Sequence, residues 1–117
     1  MPRRHIAGAL IAVVLMTFAT SANAEIQHKY RESIRKIITE LTPVHVSVEA
    51  VEFDGARVSV RGTTTNVNAA ANFVENVKAH PKFSVPEDIF MAERKGSDPA
   101  EYDFRFRFEV KERPPEN

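Results

Sequence analysis

Four histidines, five mid-chain serines, a scatter of carboxylates and a row of arginines are the residues whose types could do chemistry here. His5, His28, His45 and His80 are too far apart for any metal motif, with no HxH, HxxxH or Cys/His cluster among them. His28 falls on the polar face of an expected helix and His45 on the polar side of an expected strand. His80 sits at a helix C-terminus, where the helix dipole favours a charged imidazole without any ligand. Ser33, Ser47, Ser59, Ser84 and Ser97 lie in no GxSxG or SxxK context. Glu87 and Asp88 are adjacent, so on a strand they are expected to face apart as solvated charges. Asp98 to Asp103 has no second ligand-rich segment to make a calcium site. The expectation is therefore no catalytic residue, no metal and no cofactor.

The arginines are more informative. Arg105 and Arg107 alternate with Phe104, Phe106 and Phe108, so on a strand rings and charges occupy opposite faces. An RNA-binding sheet surface needs both on one face. The rings are read as core, and Arg57, Arg61, Arg105 and Arg107 as an open sheet face. Those arginines either pair with Glu49, Asp103 and Glu109 across strands or present a partly basic docking surface.

The elements that must position these residues follow from periodicity. Ile26, Tyr30, Ile34, Ile37, Ile38 and Leu41 recur on one face of a helix, which Thr42-Pro43 ends. Val44, Val46 and Val48 alternate with polar residues in a strand running to Phe53. The phase slips at Ala50-Val51, where a bulge would fit. Asp54-Gly55 marks a hairpin, and Arg57 to Thr63 is the returning strand, with Val58 and Val60 inward. Thr65 or Asn66 caps a second helix, Val67 to Ala79, which His80-Pro81 stops. Glu87 to Arg94 reads as a third strand, with Ile89 and Met91 on one face and Phe90 on the other. Lys95 to Ala100 is a loop. Tyr102, Phe104, Phe106, Phe108 and Val110 alternate with charges in the last strand, which should sit centrally. The order is α-β-β-α-β-β, an α+β fold with a four-stranded antiparallel sheet and two helices on one face.

Length and the first residues set the wider frame. Arg3 and Arg4 precede an apolar run from Ile6 to Phe18, and Ala22-Asn-Ala24 has the small-x-small form of a signal-peptidase site. Residues 1–24 are expected to be a signal peptide cleaved after Ala24, giving a periplasmic product that starts at Glu25. The alternative is an uncleaved inner-membrane anchor, at the short edge of spanning length. Residues 25–112 then form one domain and 113–117 a disordered tail. The whole chain has 16 basic and 16 acidic residues; loss of Arg3 and Arg4 leaves 14 against 16, which argues against nucleic acid as a partner. With no cysteine, the exported fold must hold by packing alone.

Leu41-Thr-Pro43 before a valine-alternating strand, Val58-Ser-Val-Arg-Gly62, a helix with Phe73 and Val77, Pro81-Lys-Phe83 and the Tyr102-x-Phe-x-Phe-x-Phe strand together resemble one known domain. It is the C-terminal domain of PilN-type fimbrial assembly proteins, related to the ferredoxin-like domains of type II secretion L proteins. The resemblance implies a ferredoxin-like, non-enzymatic pairing module in type IV pilus or type II secretion assembly. Members of that family typically begin with a cytoplasmic Asn-Leu-Leu-Pro-like motif, followed by a membrane helix and a coiled coil; here a signal is expected over residues 1–24, and no such motif or coiled coil is read in the sequence. Val51-Glu-Phe-Asp-Gly55 followed by Val58-x-Val-x-Gly62 is also similar to the BON domain, so the alternative is a membrane-surface or ligand-binding periplasmic module. Under the first resemblance the partner is a protein of an envelope assembly or a second copy of the chain. Membrane association enters only with a retained signal or under the alternative. In the ferredoxin-like order, Val44–Phe53 and the strand near Ile89 are the sheet edges. Pro86 leaves the start of the latter without a neighbour. Glu87, Ile89, Phe90, Met91 and Arg94 are thus the candidate interaction edge.

Overall fold

A computed structural model of the protein describes residues 24–114. The proposed leader, apart from Ala24, lies outside these residues, as do residues 115–117.

Helix α1 occupies residues 24–41. Its apolar stripe buries Ile34 and Ile38 and half-buries Tyr30, Ile37 and Leu41 against the core. Ile26 begins the stripe in the sequence but is 47% exposed, because burial starts only one turn further on. The Thr42 hydroxyl donates to the Ile38 carbonyl at 2.7 Å, satisfying one acceptor of the last turn before Pro43 leaves the helix.

The remaining elements are β1 (Val46–Asp54), β2 (Arg57–Thr64), α2 (Val67–Ala79), β3 (Glu87–Glu93) and β4 (Tyr102–Glu109). They form one sheet in the order β1-β2-β4-β3, with every neighbouring pair antiparallel. Together with α1 this is the α-β-β-α-β-β, ferredoxin-like arrangement, and the phenylalanine strand β4 is central. Val44 is not part of the first strand. It lies in a turn with His45 at φ 74° and is 78% exposed, so the inward row starts at Val46. The phase slip near Ala50 is a bulge: Val48 faces Gly62, Ala50 faces Arg61, and Glu49 is the extra residue. Inserting it returns Val51 and Phe53 to the side of Val60 and Val58. Gly55 supplies the positive φ, 59°, of the two-residue turn into β2.

Gly62 is fixed by crowding. A Cβ there would run into the Ser47 carbonyl oxygen and the Phe104 ring, so the bulged stretch of β1 can approach β2 only over a bare backbone. Asn66 is the cap of α2, its side chain accepting from the Asn68 N–H at 2.9 Å and the Ala69 N–H at 3.4 Å. Thr64, the one buried polar residue among those described, accepts from the Asn66 N–H, and its single hydroxyl proton has the His45 carbonyl at 2.8 Å and the Asn66 carbonyl at 2.9 Å as alternative acceptors.

Small residues on α2 bring Phe73 down onto β4. Its ring meets those of Phe106 and Phe104 edge-on, at 5.3 Å and 6.0 Å, a geometry favoured by the ring quadrupole. Phe83, which follows α2, is 2% exposed and lies 4.6 Å from Phe108. It also bridges to Val110, and the Ser84 N–H donates to the Glu109 carbonyl. The chain is thus pinned to the far end of β4 before it turns through buried Pro86 into β3. The helices do not cover the sheet evenly. Arg31 and Arg35 of α1 stand over Phe53 of β1, while at the opposite edge α2 and β3 line a groove between them.

Candidate interaction edge and open sheet face

Strand β3 uses one side of its backbone to pair with β4 and leaves the other side as a sheet edge. Its register is regular from Phe90, opposite Arg105, to Glu93, opposite Tyr102. Before Phe90 it is broken: Asp88 has φ 51° and two residues intervene between the Glu87 and Phe90 pairings. This corrects the expectation that Glu87 and Asp88 face apart. The irregularity brings both to one shallow hollow beside Arg107, and the Asp88 carboxylate accepts from the Arg107 guanidinium.

The candidate edge residues are distributed around this strand. Phe90 shares a face with Arg105 and is 45% exposed, whereas Ile89 is 57% exposed on the side of α2. Met91 is half-buried and packs against the core. Between α2 and β3 lies a groove of about 200 Å³, lined by Ala71, Val74, Ile89, Met91 and Phe104 among others. Arg94 is not presented at the edge. Its guanidinium reaches onto the open face, 2.6 Å from Asp103, 3.5 Å from Glu101 and 4.0 Å from Glu49 of β1. The hydrogen bond to Asp103, then the surrounding carboxylates, raise its pKa above the ordinary guanidinium value. The Arg94 N–H also donates to the Glu101 carbonyl, and Ser97 ties the turn by donating to Arg94 and accepting from the Glu101 N–H.

The open face carries the arginine row, and most of it is paired. Arg57 lies 3.7 Å from Glu109, directly opposite it in register. Arg61 is 4.0 Å from Glu52, and Arg107 is held by Asp88. Arg105 differs: its guanidinium lies over the Phe90 ring, 4.9 Å from the centroid, and has no carboxylate at ion-pair distance among the described residues. Sequence reasoning found the row but not Arg94's membership of it. Its position just after β3 gave no sign that the side chain turns across the sheet.

The three described histidines stay apart. His28 and His45 are exposed, and His80 caps α2 and packs on Phe83 at 4.7 Å. Among the described residues no group of three or more His, Asp or Glu is placed to hold a metal ion. No described helix is long and apolar enough to cross a membrane.

A four-stranded antiparallel sheet backed by two helices, with a partly irregular free edge and a charge-paired open face, defines a ferredoxin-like α+β domain. The family model described as fimbrial assembly protein PilN matches residues 35–111, and the chain belongs to that family. The family is one of structural proteins of pilus assembly that act within protein complexes. No curated protein and no solved structure matches the chain.

Proposed function

We propose that the chain is exported through residues 1–24 and works in the periplasm as a non-enzymatic association module of a pilus or type II secretion assembly, docking through the β3 edge. The observation that carries this reading is that β3, a free edge, exposes apolar side chains on both of its faces, Ile89 at 57% and Phe90 at 45%. A free edge offers main-chain donors and acceptors to an added strand. Flanking apolar residues give that strand something to bury. The break at Asp88 restricts regular pairing to Phe90–Glu93, so the docked segment is short and its register is defined by the side chains around it. The added strand comes from a partner protein or from a second copy of the chain.

The test is Phe90→Asp and, separately, Met91→Pro, with folding checked by circular dichroism. Sedimentation and pull-down from envelope extract then compare them with the unsubstituted protein. The reading expects loss of the assembly state or of the co-purifying protein. Folded variants that keep both would exclude the edge. Export has its own measurement: intact mass of the protein from the producing cell should place the N-terminus at Glu25. Retention of residues 1–24 would make it an anchored protein instead.

A further inference from the structure

We infer that the open sheet face holds a second docking site, in which Arg105 and Arg61 grip a carboxylate on an acidic segment of a partner protein. Three observations carry it. First, Arg61 and Arg105 are direct cross-strand partners in the β2–β4 register. Like charges directly opposite each other on one face oppose folding, so this pair is a local cost that a bound anion would relieve. Second, the pair is under-neutralised where the rest of the face is not. Arg57, Arg94 and Arg107 each have a closer carboxylate, Arg61 has only Glu52 at the 4.0 Å limit, and Arg105 has an aromatic ring in place of one. Third, Arg61 and Arg105 line one hollow of about 530 Å³ together with Arg107, which Asp88 already neutralises, and Ser59 of β2, opposite Arg107, adds a hydroxyl donor to it. Phe90, 45% exposed and already beneath Arg105, gives an apolar surface beside the charge.

The surroundings select the ligand. Glu52 and Asp88 line the same hollow, and Glu49, Asp103 and Glu109 lie further along the face. A dense array of anionic headgroups would meet these carboxylates, whereas one carboxylate flanked by an apolar residue meets the guanidinium pair and the Phe90 ring. Guanidiniums bind carboxylates through paired, charge-assisted hydrogen bonds. This site uses side chains of β2 and β4 and the ring of Phe90 but none of the β3 backbone, so Arg61→Gln, which touches no β3 residue, tests it apart from strand addition at the edge.

The probe is a short fluorescein-labelled peptide alternating glutamate and leucine, with its glutamine counterpart as control and phosphatidylglycerol vesicles as a separate arm. Binding to the ¹⁵N-labelled protein from the producing cell is followed by anisotropy and by amide shifts. Expected are saturable binding of the glutamate peptide that weakens with added NaCl, shifts centred on Arg61, Arg105 and Phe90, and no binding of the control. Arg105→Gln and Arg61→Gln, which leave the β3 backbone unchanged, should each weaken binding by about tenfold, the loss of one charge-assisted contact. The inference is overturned by absence of saturable binding, by equal binding of the glutamine peptide, or by unchanged affinity in Arg105→Gln. Vesicle binding lost in Arg105→Gln, without peptide binding, would overturn the choice of ligand.

Discussion

Phe106 and Arg105 are neighbours in the chain with opposite surroundings. The Phe106 ring is 1% exposed and lies between Phe104, Phe108 and the edge of Phe73. Phe106→Ala should therefore cost about 3–5 kcal/mol, since it removes a large buried surface and leaves a cavity that rigid aromatic neighbours cannot close. Arg105→Ala removes an exposed side chain and relieves its repulsion with Arg61, so its effect on stability should stay within about 0.5 kcal/mol. Urea melts of the two variants check both values. Equal losses would mean that the two faces of β4 are reversed.

At the scale of elements, α2 is held by its cap and its phenylalanine more than by its composition. Asn66 satisfies two of the amide donors that a helix start leaves open, and the first turn has no acidic residue to help. Asn66→Ala should cost about 1 kcal/mol, within the usual range of about 0.5–2 for lost caps, whereas Asn66→Asp should be nearly neutral. Thermal melts of the pair distinguish the cap from general loss of polarity. The two edge strands are each defended differently. The bulge at Glu49 disrupts β1, and Asp88 at positive φ disrupts the start of β3. Such irregularities discourage indiscriminate edge pairing. They leave Phe90–Glu93 as the regular stretch of β3, which is where the proposed docking falls.

For the molecule as a whole, stability rests on one aromatic and aliphatic layer between the sheet and the helices. The ion pairs of the open face are exposed; in the Arg94 cluster the guanidinium and its three carboxylates are each between 41% and 48% accessible. Exposed pairs contribute at most about 1 kcal/mol each and are screened by salt. Raising NaCl from about 0.1 M to about 1 M shortens the screening length from about 10 Å to about 3 Å. The urea midpoint should nevertheless correspond to a change of less than about 1 kcal/mol. A loss of several kcal/mol would identify the Arg94 cluster, which spans the sheet from Glu101 to Glu49, as a structural clamp. Binding through the open face, in contrast, should fall steeply over the same range.

The sequence by itself determined the elements. The alternation of Tyr102 to Val110, the helical spacing of Ile34, Ile38 and Leu41, the Asp54-Gly55 turn and the stop at His80-Pro81 are local patterns. The physics that reads them acts over a few residues: side chains alternate on a strand and recur every 3.6 residues on a helix. Even the bulge was legible as a broken phase at Ala50-Val51. Tertiary structure decided what each exposed residue faces. Arg94 reads as an edge charge until the sheet order places Asp103, Glu101 and Glu49 around it. Arg105 reads as one of four equivalent arginines until registration sets it opposite Arg61 and above Phe90. Phe83 reads as part of a connection until it bridges to Val110 and packs on Phe108. Those partners lie up to some tens of residues away, and period and propensity carry no information about pairings at that distance. Only the sheet order and its register bring them together.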